Sequence, residues 1–206
     1  MDTTDSIVDI YEDFARKTKR KIYYAQTPYK GTIQYGMINL IKTLCIPNDS
    51  FANTFLLAYH NPYLVNGNEL FFGVFFPLSF DTSIKIDIRE KDILDKLNPF
   101  LKHKTAKSNV PYFDSMTVMT TNDTYSIERL INHKKMQRFI LDALKITKAL
   151  HVGLNTCYTD FAPAFTNKSH FGIYTTQQWL SEDSVMEALF SQAERIRDLF
   201  KQKELI

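Results

Sequence analysis

Tyr63-Leu64-Val65-Asn66-Gly67-Asn68-Glu69-Leu70-Phe71-Phe72-Gly73-Val74-Phe75-Phe76 is the stretch on which the fold turns. A short apolar run, an Asn-Gly pair and a longer apolar run spell a β-hairpin, because Asn-Gly supplies the positive φ angles of a type I′ turn. Pro62 bounds the incoming strand, whose start falls near Phe51, and Pro77 ends the outgoing one. Beyond it, Ile84, Ile86 and Ile88 alternate with Lys85, Asp87 and Arg89, as a half-exposed strand requires. These three strands predict an antiparallel meander.

Downstream, Glu90 to Leu97 reads as a helix with Ile93, Leu94 and Leu97 on one stripe, interrupted at Asn98-Pro99. Residues 102–110, with Lys102, His103, Lys104 and Lys107, read as an internal flexible loop. Met116 and Val118 face one way in a strand ending near Thr121, and residues 124–147 are helical with a break near Asn132-His133. Leu150, Val152 and Leu154, then Phe171 and Ile173, mark two strands joined by a loop from Cys157 to Ser169. The last helix starts at an Ser181 N-cap and carries the stripe Val185, Met186, Leu189, Phe190, Ala193, Ile196, Leu199 and Phe200. Upstream, residues 5–15 form an amphipathic helix. Residues 33–45 fit a helix or a strand, with the helical reading ahead. The sum is one α+β domain over residues 1–206: a mostly antiparallel sheet with helices packed on one face.

Composition narrows the function class. The 206 residues carry a net charge of +2, 44% hydrophobic residues and 16 Phe, enough for a packed core. Neither half of the chain is charge-polarised, which argues against a wholesale nucleic-acid surface. The acidic start, Met1 to Ser6, lacks a signal peptide's order, and the richest apolar run, Leu70 to Phe80, is about half the length that spans a bilayer. Cys45 and Cys157 lie far apart and form neither a CxxC motif nor the disulfide framework of a secreted protein. A cytoplasmic protein without a transmembrane segment or a cofactor is the expectation.

Phe113-Asp114-Ser115-Met116-Thr117-Val118, then Asn122-Asp123, then a helix with Phe139-Ile140-Leu141-Asp142-Ala143-Leu144, a strand pair and a closing helix carry one resemblance. Over residues 112–206 the chain resembles a bacterial family of domains of unknown function. Its anchors are hydrophobic spacings, and it implies no activity. Members often carry N-terminal membrane helices, for which this sequence has no counterpart run.

No catalytic or metal-ligating constellation is legible, so the expected role is a non-catalytic protein-interaction or accessory module. Excess Phe and Tyr would serve a protein partner or self-association. Two alternatives stand beside it. One is an enzyme whose site assembles from distant residues, with His60, Cys157, Asp160 and His170 the first to test. The other is a peripheral binder of nucleic acid or an anionic membrane surface through Arg16 to Lys21. The binding candidates are Lys17, Lys19, Arg20 and Lys21, cations beside aromatics, and His60, where a strand meets a turn. Taken as the two strands of a hairpin, His151 and His170 lie too far apart to share a metal.

Overall fold

The structure, a computed structural model, describes residues 3–28, 40–48, 53–62, 70–93, 95, 105–131 and 133–202. Its strands are β1 (Tyr23–Pro28), β2 (Leu40–Pro47), β3 (Phe55–His60), β4 (Leu70–Leu78), β5 (Ile86–Glu90), β6 (Thr117–Thr121), β7 (His151–Leu154) and β8 (Ser169–Thr175). Its helices are α1 (Thr3–Lys17), α2 (Pro111–Met116), α3 (Thr124–Ile131), α4 (Lys134–Leu144) and α5 (Asp183–Gln202). The strands make an antiparallel sheet in the order β1-β2-β3-β4-β8-β7-β5-β6, so the fold is α+β. Among the described residues no helix is long and apolar enough to cross a membrane.

The arms of the decisive hairpin are present: β3 and β4 pair from Phe55 opposite Phe75 to His60 opposite Leu70. The Asn66-Gly67 turn and the Tyr63-Leu64-Val65 run lie outside the described residues. The meander stops there. β8 pairs along the other side of β4 and β7 follows it, so two strands separate β5 from its expected neighbour. Alternation says which residues share a face, not which strand lies alongside, and that is why the third strand was misplaced. Pro77 sits inside β4 opposite His170 rather than ending it. It lies beyond the last β3 pairing, an edge-like position where proline is tolerated.

Three further expectations are corrected. Residues 40–47 form strand β2, not helix, because pairing on both sides with Leu44 and Ile46 alternating into the core outweighs helical spacing. Met116 ends helix α2, and the strand proper starts at Thr117. Ile93 is 71% exposed rather than on a core stripe. In the stretch expected to be a flexible loop, Ala106 bridges to Met119, and buried Ser108 donates from both its backbone N–H and its hydroxyl to Asp114. Lys102, His103 and Lys104 lie outside the described residues.

The break between α3 and α4 falls where expected, with His133 Nδ1 accepting from the Lys135 N–H as a cap. α5 begins at Asp183, and Met186, Leu189, Phe190, Ala193, Ile196, Leu199 and Phe200 on its stripe are all buried. At about 2 kcal/mol per large buried side chain this face contributes on the order of ten kcal/mol before entropy is subtracted. α1 docks onto the segment before α5: Tyr11 and Phe14 are fully buried, and the Tyr11 hydroxyl donates to the Leu180 carbonyl at 2.9 Å.

Central strands are apolar on both sides, and alternation divides them between two clusters. Leu56, Ala58, Phe72, Val74, Phe76, Phe171 and Ile173 join side chains from all five helices in the first. Phe55, Leu57, Tyr59, Phe71, Phe75 and Tyr174 join Ala162 and Phe165 in the second. The latter two come from the loop between β7 and β8, which turns through a short 3-10 segment, Pro163–Phe165.

Candidate functional site

The side of the sheet that carries the second cluster becomes polar toward β5. Ile86 and Ile88 of β5, Val152 and Leu154 of β7, and Ile173 of β8 enter the first cluster. Period-two alternation therefore puts Asp87, His151 and Tyr174 together on the opposite side. The register brings them into contact: His151 lies opposite Tyr174, and Asp87 opposite Gly153. The Asp87 carboxylate accepts from the Tyr174 hydroxyl at 2.8 Å, and its two oxygens lie 3.0 and 3.1 Å from His151 Nδ1. The imidazole stacks on the Tyr174 ring at 5.4 Å between centroids, with 24° between planes.

Glycines make room for this row. A Cβ on Gly172 would stand 2.1 Å from the Phe75 ring, and one on Gly153 would stand 2.6 Å from Thr156 Oγ1. Phe75 thus lies nearly parallel to Tyr174 at 5.9 Å. Burial holds the Tyr174 phenol well above its ordinary pKa, so it stays a neutral donor to Asp87.

A cleft of about 560 Å³ opens over this cluster, lined by Lys85, Asp87, Thr120, His151, Cys157 and Tyr174 among others. A second recess of about 340 Å³ is lined by Asn155, Cys157, Thr159, Asp160 and His170 among others, so Cys157 borders both. In the recess His170 is 6% exposed, its Nδ1 is 3.2 Å from Thr159 Oγ1, and its Nε2 is buried without a hydrogen-bond partner. Burial lowers its pKa to about 4 against a smaller opposing pull from Asp160. Burial pushes the Cys157 thiol up, beyond the pull of Thr156 in the other direction. Thiol and imidazole are both neutral at pH 7, which is not the activated pairing a thiolate nucleophile needs.

The sequence-derived candidates are distributed as follows. Cys157, Asp160 and His170 do come together around the recess. His60 does not: at the end of β3 it shares the face of Leu56 and Ala58, on the other side of the sheet. Lys17 pairs with Asp13 and with Asp183, the latter at 3.1 Å, and these carboxylates hold its pKa up. Arg20 is turned inward: its guanidinium binds Glu187 through both terminal nitrogens and the Asn48 carbonyl and side chain through Nε. It also lies over the Phe190 ring at 4.4 Å and the Phe14 ring at 5.4 Å. Lys19 and Lys21 remain exposed.

The Asp87–His151–Tyr174 cluster was missed by the sequence reading. The signal was present only in part. Asp87 and His151 are polar interruptions of strands otherwise Ile and Val, but their pairing depends on β7 lying between β5 and β8, which alternation does not encode. Among the described residues no group of three His, Cys, Asp or Glu side chains is arranged to hold a metal ion. No protein-family profile matches the chain, and no curated protein or solved structure matches it either.

Proposed function

We propose that this chain acts by binding rather than by catalysis, and that the cleft above Asp87, His151 and Tyr174 receives a small anion bearing a hydroxyl or amino group. The observation that carries the reading is the hydrogen-bonded cluster on the cleft floor. A carboxylate beside Nδ1 draws the imidazole proton to that nitrogen and leaves Nε2 an acceptor for a ligand's O–H or N–H. Lys85 at the rim supplies a cation for the ligand's charge. Against catalysis stand the protonated Cys157 thiol and the neutral His170.

We propose with it that the helices cover one side of the sheet and leave the other to the ligand, that residues 112–206 fall in the bacterial family they resemble, and that the two free cysteines suit the cytoplasm.

The test is protein-observed NMR of the full chain against a panel of hydroxy acids, amino acids and sugar phosphates. One class should shift the His151, Thr120 and Tyr174 resonances, and Asp87→Asn should abolish that response while the fold persists. A panel that leaves these resonances unmoved, or binding indifferent to Asp87→Asn, would refute the reading.

A further inference from the structure

The two ends of the sheet are finished differently. At β6 the outer side is occupied, since Ala106 pairs with Met119 there. At the other end β1 pairs only with β2 among the described residues. An edge strand presents a row of backbone N–H and C=O groups that template another strand; natural edges are blunted by charge, proline, bulges or cover, and among the described residues β1 carries only Pro28, at its end. The six residues of β1, Tyr-Tyr-Ala-Gln-Thr-Pro, carry no charge and run in unbroken register with β2. All of them but Tyr24 are exposed, Tyr23 to 57%.

The approach to this strand is basic, and the structure sorts its cations. α1 ends as Lys19 takes a left-handed φ of 56°, while the Arg20 N–H bonds back to the Ala15 carbonyl. From there Arg20, Ile22 and Tyr24 turn toward the core, which sends Lys21 and Tyr23 the other way. Arg16, Lys17 and Arg20 have acidic partners. Lys19 and Lys21 are exposed and have no side-chain partner among the described residues.

We propose that the β1 edge accepts an extended acidic segment of a protein partner as an added strand, its carboxylates facing Lys19 and Lys21. Backbone pairing supplies the affinity, and the two lysines with exposed Tyr23 supply the preference. Charge complementarity selects this occupant. A second copy of the chain would bring the same two lysines to the edge and, among the described residues of β1 and its approach, no carboxylate. This inference is independent of the cleft and survives if the cleft binds nothing.

The probe is a short capped peptide of alternating Glu and Val, with its Lys and Val counterpart as control, added to the full chain. Binding of the acidic peptide should shift the amide signals of residues 23–28 and slow their hydrogen exchange. Affinity should fall severalfold as salt rises from about 50 to 200 mM. The double substitution Lys19→Glu, Lys21→Glu should weaken it by about tenfold or more while the thermal midpoint is unchanged. Equal binding of the basic peptide, shifts confined to other strands, or no binding at millimolar peptide would overturn the proposal. So would a concentration-dependent dimer that protects β1 with no peptide present.

Discussion

The two sides of the sheet differ: the sealed side holds the first cluster, the worked side the second cluster and the polar row beside it. In the first cluster large apolar side chains meet helix residues, and the main contacts are those of an ordinary interior. On the other side the same strands carry aromatics at β3 and β4, glycines at β8 and β7, and a carboxylate, an imidazole and a phenol toward β5. A sheet can hold both because its side-chain period is two. The difference teaches where to look for function in a fold without a motif: at the side where polar groups are buried together rather than excluded.

Removing residues 181–206 should break the sealed side and have the largest effect of any change considered. α5 supplies Met186, Leu189, Phe190, Ile196 and Phe200 to that interior, and Phe190 also seats Arg20. Loss of that stripe, on the order of ten kcal/mol before entropy, is comparable to the roughly 5–15 kcal/mol that stabilises a whole domain. Circular dichroism and a proton spectrum of the truncated chain should be those of an unfolded protein. A native spectrum would mean that the first cluster does not depend on α5.

On the worked side, His170 makes a pH prediction. Its folded pKa of about 4 lies below the ordinary 6.5, so the unfolded chain binds the proton more readily. The neutral imidazole's contribution is therefore intact above about pH 6.5 and is lost as pH falls toward 4. The shift is worth roughly 3 kcal/mol over that window. Urea melts across that range should show the decline in the native chain and a flatter profile in His170→Leu. Parallel profiles would show that His170 is not held neutral by its surroundings.

Legibility differed between the two sides for a physical reason. The stripe on α5, the break at His133 and the apolar run of β4 are local patterns, and the structure keeps them. The sealed side follows from them because burial depends on periodicity alone. The Asp87–His151 contact spans 64 positions and exists only because β7 and β8 insert between β4 and β5. Strand order is a tertiary outcome, and nothing in the alternation of Ile84, Ile86 and Ile88 states it. The basic run shows the same limit from the other direction. Arg20 and Lys21 are neighbours in sequence with equal charge, yet one is spent on Glu187 and the other is presented to solvent.

Asp87 is the residue that ties the worked side together, and single substitutions should rank accordingly. Asp87→Ala leaves the buried Tyr174 hydroxyl without its carboxylate and His151 Nδ1 without a partner, which should cost about 1–3 kcal/mol. Tyr174→Phe removes only the donor and should cost less, about 1 kcal/mol, because Asp87 keeps His151 and access to water. Chemical denaturation of both variants decides the order. If Tyr174→Phe proves the more damaging, the tyrosine hydroxyl rather than the carboxylate organises the row.

The smallest expected effect is a gain, and it lies at the turn that delivers His151. Among the described residues five non-glycines adopt positive φ, and three of them, Asn109, Asn155 and Asn167, are asparagines, which tolerate that region. Ala149, two residues before His151, adopts φ 59° with neither an asparagine's side-chain hydrogen bonding nor a glycine's freedom. Ala149 is exposed, so Ala149→Gly removes no packing. Relief of the left-handed penalty, about 1–2 kcal/mol, is partly offset by glycine's extra chain entropy, about 0.5–1 kcal/mol. The variant should therefore be more stable by roughly 0.5–1 kcal/mol, with a small rise in the thermal midpoint. The same measurement probes the worked side, because glycine keeps the same left-handed φ without strain and should leave the Asp87–His151 signals unmoved. Loss of those signals with a gain in stability would show that the strain at Ala149 positions the imidazole.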